Sequence, residues 1–161
     1  MPEPALVVRR VPITDPDALA LIDAVQAEYA ERYGSGDESP IVPEAFEGHG
    51  GAFFVGYLAE RPVATGAWRR GSVEAFGTTR TAEIKRMYVA PGHRGSGLAR
   101  QMLTHLEATA AAAGVEALVL ETGTKQPEAI ALYTSSGYTP VPAFGHYHWS
   151  PLSRCFGKRL S

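Results

Sequence analysis

The chain contains very little cysteine and no long apolar run. Cys155 is the single cysteine of 161 residues, so no disulfide can form within the chain, as is typical of the reducing cytoplasm. No apolar run is long enough to cross a bilayer, and no N-terminal segment has the charged start and apolar core of a secretory signal. A net charge of −2 argues against general nucleic-acid binding, which depends on an excess of Lys and Arg. These absences predict a cytoplasmic protein that binds neither membranes nor nucleic acids.

Metal binding is not expected either. His146 and His148 are spaced so that both would lie on one face of a strand. No third ligand or cysteine partner is spaced to complete a site with them.

The hydrophobic content is sufficient for one core. It amounts to 45% of the chain, so residues 1–161 are expected to form a single domain. Apolar periodicity and turn residues predict helices over 15–33, 97–113 and 127–136, with a short helix near 43–46. They predict strands over 6–11, 52–58, 63–69, 83–89, 115–120 and 154–160. This order of elements is typical of a mixed α/β sheet flanked by helices.

A glycine-rich turn follows the strand over 83–89. Pro91 ends the strand, the turn Arg94-Gly95-Ser96-Gly97 comes next, and a long helix begins at its end. Gly95 and Gly97 allow the backbone to approach a ligand closely, and the helix N-terminus favours an anion. The segment therefore predicts a phosphate-binding site.

Two well-known phosphate motifs do not fit this turn. A P-loop requires Lys and Ser or Thr after its last glycine, where Leu98 and Ala99 stand. A dinucleotide-binding fingerprint requires a third glycine at the position of Arg100. The remaining pattern, Arg-x-x-Gly-x-Ala over 94–99, resembles the pyrophosphate-binding motif of the GNAT superfamily of acetyl-CoA-dependent N-acetyltransferases.

A second segment strengthens this resemblance. Leu120-Glu121 ends a short apolar run, Gln126-Pro127 begins a helix, and Tyr133 stands four residues before Gly137-Tyr138. This passage is similar to the second GNAT signature, in which a tyrosine on the last helical turn precedes Gly-Phe or Gly-Tyr. The resemblance covers residues 82–138.

The resemblance implies a fold and a set of cofactor contacts. The fold would be a central, mostly antiparallel twisted sheet of six to seven strands, with splayed central strands and about four flanking helices. The donor would be acetyl-CoA, with a longer acyl-CoA left open, and no metal would be needed. The residues expected to bind it are Met87, Tyr88 and Val89 for the pantetheine arm, Arg94, Gly95, Ser96, Gly97, Leu98, Ala99 and Arg100 for the pyrophosphate, and Gln126, where the family often has Asn.

Acyl transfer to an amine requires a base for the amine and an acid for the departing thiolate. The resemblance offers Glu121 and Glu83 as bases; we favour Glu121, because it lies twelve residues before Tyr133 as in members that acetylate protein N-termini. Tyr133 is the expected acid and also a cofactor contact, because a phenol with a reference pKa of about 10 keeps its proton at neutral pH.

The acceptor side carries no signature of its substrate. The family builds it from the first helices, which suggests Glu28, Tyr29, Tyr33 and Trp68, and substrate choice is expected in the loop 34–50 and the tail after Pro140. A small amine is favoured over a protein. A protein N-terminal or lysine acetyltransferase and a non-catalytic acyl-CoA sensor remain alternatives, and a homodimer through the terminal strand is left open.

Overall fold

The computed structural model describes residues 5–36, 43–71, 73–145 and 147–160, which form one twisted sheet with helices on both faces. The strand order is β1-β2-β3-β4-β5-β7-β6, and every neighbouring pair is antiparallel except β4 and β5. The expected mostly antiparallel sheet of six to seven strands is confirmed. The strands are β1 (Val7–Arg10), β2 (Gly51–Leu58), β3 (Arg61–Arg70), β4 (Thr81–Val89), β5 (Ala117–Gly123), β6 (Thr139–Pro140) and β7 (Ser153–Arg159).

Three α-helices and one 3₁₀ helix occur among the described residues, against about four helices expected. They are α1 (Pro16–Tyr33), the 3₁₀ helix (Pro43–Phe46), α2 (Leu98–Ala112) and α3 (Pro127–Ser135). Helix α1 has the predicted boundaries, because its end signals are local. The Asp15 carboxylate accepts hydrogen bonds from the N–H groups of Asp17 (2.9 Å) and Ala18 (3.4 Å), and Gly34 ends the helix at φ 83°. No described helix is both long enough and apolar enough to cross a membrane.

The sheet separates two hydrophobic clusters. Successive residues of a strand point to opposite faces, so Phe53 packs in the cluster beneath α1, while Phe54 packs in the cluster with α2. This is why β2 is buried on both faces and contains no alternating polar residues. Met102 and Leu106 of α2 are fully buried in the second cluster.

Strand β5 differs from the sequence prediction. The expected strand 115–120 begins at Ala117 instead, because Val115 still donates its N–H to Ala110 at the end of α2 (3.0 Å). It continues to Gly123, because β7 pairs with it as far as the Gly123–Ser153 position. Glu121 therefore lies within a strand and not at its end.

The two central strands separate along their length. Strands β4 and β5 pair only at Thr81–Ala117, Ala82–Leu118 and Glu83–Val119. Beyond this point β4 pairs with β3 alone and β5 with β7 alone. A β-bulge at Arg86 (φ 56°) interrupts the β3–β4 pairing just beyond this point, and the Thr65 hydroxyl donates to the Arg86 carbonyl (2.6 Å). The expected splayed central strands are confirmed, and the gap between them contains the candidate site.

Candidate active site

A cavity of about 370 Å³ lies between the separated ends of β4 and β5. Its walls are formed by β4, the glycine turn, the beginning of α2, the end of β5, α3 and one face of α1. Most of the residues predicted from the sequence line it, although they come from five separate elements. These are Met87, Tyr88, Val89, Arg94, Gly95, Gly97, Leu98, Ala99, Arg100, Glu121, Gln126 and Tyr133.

The glycine turn leaves open space where a ligand could approach. Gly95 (φ 84°) and Gly97 (φ 83°) have left-handed backbones, and a Cβ on either would have no atom within 4 Å. Gly97 caps α2, and no described side chain hydrogen-bonds to the N-terminus of this helix. The first N–H groups of α2 are therefore available to an anion. Ser96 does not line the cavity; its hydroxyl donates to the His93 carbonyl within the turn (2.9 Å).

The side chain of Arg94 anchors the turn to the protein. Its guanidinium donates to both carboxylate oxygens of Glu28 on α1, at 2.9 and 2.7 Å, and its Nε donates to the Val89 carbonyl at 2.7 Å. It also lies over the Tyr88 ring, 5.4 Å from the centroid. Hydrogen bonding from Arg94 lowers the pKa of the Glu28 carboxyl, although burial opposes this. The backbone of the turn is thus the part that faces a ligand.

Arg100 is a second exposed cation at this end of the cavity, besides Arg94. Its guanidinium donates to the hydroxyls of Ser136 (2.9 Å) and Ser135 (2.7 Å), which end α3. These bonds join the first turn of α2 to the last turn of α3 beside the cavity that Arg100 lines.

Glu121 lies half-buried on β5, and its carboxylate accepts two hydrogen bonds from the segment 147–153. The Ser153 hydroxyl donates to its Oε2 at 3.0 Å, and the Tyr147 N–H donates to its Oε1 at 3.4 Å. Burial raises the pKa of the Glu121 carboxyl above its ordinary value, and the two hydrogen bonds oppose the change. A carboxylate with a raised pKa is a stronger base than an exposed one.

The other candidate base lies elsewhere. Glu83 stands where β4 and β5 are still paired, and it lines neither of the two cavities described here. Its Oε1 lies 3.3 Å from an Arg69 nitrogen and 3.6 Å from the Lys85 Nζ. The structure therefore brings Glu121, and not Glu83, to the cavity.

Tyr133 projects from α3 with 5% of its surface exposed and packs edge-on against Tyr138, with ring centroids 5.6 Å apart. Burial raises its pKa well above the ordinary value, so the phenol keeps its proton. Among the described residues no group hydrogen-bonds to its hydroxyl. The Tyr138 hydroxyl, by contrast, donates to Glu107 (2.8 Å).

Gln126 precedes α3 and faces both the cavity and α1. Its Oε1 accepts a hydrogen bond from the Tyr33 hydroxyl at 3.3 Å. The amide thus joins the beginning of α3 to the end of α1.

Comparison with known proteins identifies the family. Residues 19–138 match the family described as the acetyltransferase (GNAT) family. The chain belongs to the GNAT family. A structure from Klebsiella pneumoniae, provisionally described as an acyl-CoA N-acyltransferase, is 32% identical, with a TM-score of 0.79 over 97% of this chain and 98% of that one.

Other GNAT relatives are more distant or partial. The chain is 45% identical over 78 residues to the IAA acetyltransferase of Azospirillum brasilense, covering 48% of this chain and 51% of that protein. It is 37% identical over 84 residues to the uncharacterized N-acetyltransferase YsnE of Bacillus subtilis, covering 51% and 56%. The matches thus span about half the length of these relatives. The yncA structure from Salmonella typhimurium, which holds its cofactor acetyl-CoA, shares the fold at a TM-score of 0.66 and 19% identity, over 98% and 95% of the chains.

A second cavity, of about 280 Å³, adjoins the first in this GNAT fold. Glu121, Gln126, Tyr29, Lys85 and Thr122 line both cavities, so the Glu121 carboxylate lies at their junction. The other walls of the second cavity come from the end of α1 and from the segment 147–153.

The residues predicted for the acceptor side lie in different parts of the structure. Tyr29 and Tyr33 line the second cavity, whereas Glu28 lines the first. The expectation for Trp68 is wrong: it is 3% exposed in the core, and its Nε1 donates to the Thr109 hydroxyl at 3.1 Å. Trp149 and Ser153 also line the second cavity, whereas the sequence predicts only that the tail after Pro140 as a whole affects substrate choice.

No cluster of three or more potential metal ligands occurs in the part of the chain that the structure describes. His148 Nδ1 lies 2.9 Å from the Gly145 carbonyl, and His146 falls outside the described residues.

Proposed function

We propose that this chain, as a single domain over 1–161, transfers the acetyl group of acetyl-CoA to the primary amine of a small molecule. Glu121 is the proposed base and Tyr133 the proposed acid. The observation that carries the proposal is the shared cavity, which the glycine turn, the Glu121 carboxylate and the Tyr133 side chain all line.

The residues present suit acetyl-CoA as the donor. The free N–H groups at the start of α2 and the open face of Gly95 and Gly97 fit a pyrophosphate. Beyond Glu83, one edge of β4 has no paired strand, so the backbone of 87–89 can bind an extended, amide-containing chain. The Val89 carbonyl already accepts a hydrogen bond from Arg94, which leaves Met87 and Tyr88 as the main backbone partners.

When bound, acetyl-CoA supplies a thioester carbon that an amine can attack. The acceptor arrives as an ammonium ion, and Glu121 removes one proton to free the nitrogen lone pair. The nitrogen bonds to the carbonyl carbon, and the C–S bond breaks with its electron pair on sulfur. Tyr133 gives its proton to that sulfur and is restored by the second proton that the nitrogen loses, while Glu121 releases its proton to solvent.

Two alternative functions have less support. A protein N-terminus or lysine side chain requires an open groove for the flanking residues, whereas the second cavity is small for a ligand site at about 280 Å³. A sensor that only binds acyl-CoA gains nothing from a carboxylate held by two hydrogen bonds at the cavity junction.

The proposal is tested with acetyl-CoA titration calorimetry and a thiol-release assay over a panel of amines. Glu121→Gln should reduce kcat/KM by about 10²-fold or more, because a general base contributes on this order, while acetyl-CoA binds as before. Glu83→Gln is the matched control and should retain most of the activity. Absence of acetyl-CoA binding, or loss of activity in Glu83→Gln alone, would contradict the proposal.

A further inference from the structure

We propose that the second cavity selects a primary monoamine with an aromatic body, and that Trp149 determines this specificity. The inference rests on the proposed function and names the class of acceptor for it. It follows from three features of the cavity: its aromatic walls, the single carboxylate among its described lining residues, and the exposed tryptophan at its edge.

Aromatic side chains enclose the second cavity from two directions. Tyr29 and Tyr33 of α1 form one wall, with their rings edge-to-face at 6.5 Å and 66°. Tyr147 and Trp149, from the segment before β7, form the other. Rings arranged in this way accept a further ring in edge-to-face or offset contact, which adds to the burial of apolar surface.

Trp149 is the most exposed large hydrophobic residue in the described part of the chain, at 71%, and the nearby Leu152 is 39% exposed. Both line the cavity. Exposed apolar surface at the edge of a cavity is typical of a binding site. A ligand with an apolar body would cover both side chains.

The charges in this cavity favour one ammonium group. Glu121 is the single carboxylate among its described lining residues, and it lies at the junction where the amine must react. The second ammonium of a diamine would have no carboxylate to bind among these described residues. Lys125, whose Nζ lies 5.7 Å from the Tyr33 ring centroid, adds positive charge beside this wall.

The same arrangement disfavours an amino acid. Its carboxylate, one carbon from the reacting amine, would lie against the Glu121 carboxylate. Lys85 offers limited compensation, because its Nζ lies 3.6 Å from the Glu83 carboxylate. The acceptor is therefore an amine whose remaining atoms are uncharged and apolar.

The first test compares phenethylamine with n-hexylamine, 1,5-diaminopentane and phenylalanine in the thiol-release assay. The value of kcat/KM for phenethylamine should exceed the values for the diamine and for phenylalanine by about tenfold or more. Trp149→Ala should lower kcat/KM for phenethylamine about tenfold, mainly by raising KM. The same variant should change kcat/KM for n-hexylamine much less. Leu19→Ala, which removes another exposed apolar side chain (46% exposed) outside both cavities, should change neither value.

Preference for the diamine or the amino acid would overturn the inference. Equal effects of Trp149→Ala on phenethylamine and n-hexylamine would also overturn it, because the residue would then act on all amines alike.

A second test requires no turnover. Trp149 is exposed and Trp68 is 3% exposed, so acrylamide quenching of tryptophan fluorescence reports mainly on Trp149. Adding phenethylamine, with or without coenzyme A, should protect the wild-type protein from quenching and leave Trp149→Phe unaffected. Absence of protection would overturn the inference.

Failure of the proposed function gives a different result. Protection of Trp149 by the amine without any binding of acetyl-CoA would refute the acetyltransferase proposal and support the aromatic site. Binding of acetyl-CoA with acetylation confined to diamines or amino acids would support the acetyltransferase proposal and refute the aromatic site.

Discussion

The guanidinium of Arg94 is bound by the carboxylate of Glu28 through two hydrogen bonds of 2.9 and 2.7 Å, although 66 residues separate them. The basic residue of the glycine turn thus binds helix α1. The turn is fixed at both sides, because the Arg94 Nε also binds the Val89 carbonyl at the end of β4. Prior fixing of a binding loop reduces the entropy that is lost when a ligand orders it.

Removing the charge of Glu28 should therefore weaken donor binding without changing the chemical step. We expect Glu28→Gln to raise the acetyl-CoA Kd about fivefold and to lower the free energy of unfolding by about 1 kcal/mol, as for a bidentate pair near the surface. Calorimetry and urea unfolding measure the two effects.

The difference in the free energy of unfolding between the wild type and Glu28→Gln should depend on pH in a defined direction. Since Arg94 lowers the pKa of Glu28, the contribution is present above the ordinary carboxyl pKa and is lost as the pH falls through the lowered value. Glu31 is an exposed residue of the same helix. Glu31→Gln should therefore change neither the acetyl-CoA Kd nor the free energy of unfolding. An unchanged Kd in Glu28→Gln would show that the turn does not need this anchor.

The glycine turn can be tested with a pair of matched glycines. Gly97 and Gly77 have nearly the same left-handed backbone (φ 83° and 78°), and a Cβ on either meets no atom within 4 Å. Alanine at either position should cost about 1–2 kcal/mol of stability. Only Gly97→Ala adds a methyl group at the wall of the first cavity, so only this variant should raise the acetyl-CoA Kd by about tenfold or more. Equal Kd values for the two variants would place the pyrophosphate elsewhere.

Features set by local sequence could be predicted, and features set by strand register could not. The boundaries of α1 follow from Asp15-Pro16 and Gly34, and the strand–turn–helix unit from its own glycines. The choice between Glu83 and Glu121 depends on how far β4 and β5 remain paired. This pairing ends just before the bulge at Arg86, whose carbonyl accepts a hydrogen bond from Thr65 on another strand.

The hydrogen bonds that hold the Glu121 carboxylate could not be predicted from the sequence either. Ser153 reaches it because β7 pairs with β5 in a register that places Ser153 opposite Gly123, two residues along. Trp149 lies in a turn with no periodic pattern, so its sequence neighbours give no sign that it lines a cavity.

The hydroxyl of Tyr133 should matter for the chemical step and little for stability. Tyr133→Phe removes no hydrogen bond among the described residues, so its free energy of unfolding should stay within about 0.5 kcal/mol of the wild type. Loss of the acid should lower kcat by about 10²-fold and leave the acetyl-CoA Kd unchanged. Steady-state kinetics and calorimetry separate these effects.

Tyr138→Phe is the matched control for that variant. Its hydroxyl donates to Glu107 at 2.8 Å and lines neither cavity. This change should cost about 1 kcal/mol of stability and leave kcat nearly unchanged. Full activity of Tyr133→Phe would mean that another group protonates the thiolate.

The raised pKa of Glu121 predicts opposite effects on stability and activity. Burial raises this pKa, so the group contributes stability that is present below the ordinary carboxyl pKa and is lost as the pH rises through the raised value. Glu121→Gln should therefore have a higher Tm than the wild type at pH 8, with a smaller difference at pH 4, while its kcat/KM should be lower by about 10²-fold or more. A lower Tm for Glu121→Gln at pH 8 would contradict the sign of this pKa shift.

The pH dependence of activity should reveal the contact between Ser153 and Glu121. The wild-type kcat/KM should rise with pH as Glu121 ionises. The Ser153 hydroxyl stabilises the ionised carboxylate by donating to it at 3.0 Å, so Ser153→Ala should raise the pKa of Glu121 further and move this rise to higher pH. Ser96→Ala, which removes a hydroxyl that donates only within the glycine turn, is the control and should leave the rise in place. If the rise does not move in Ser153→Ala, the titrating group is not Glu121, because no other described hydroxyl donates to its carboxylate.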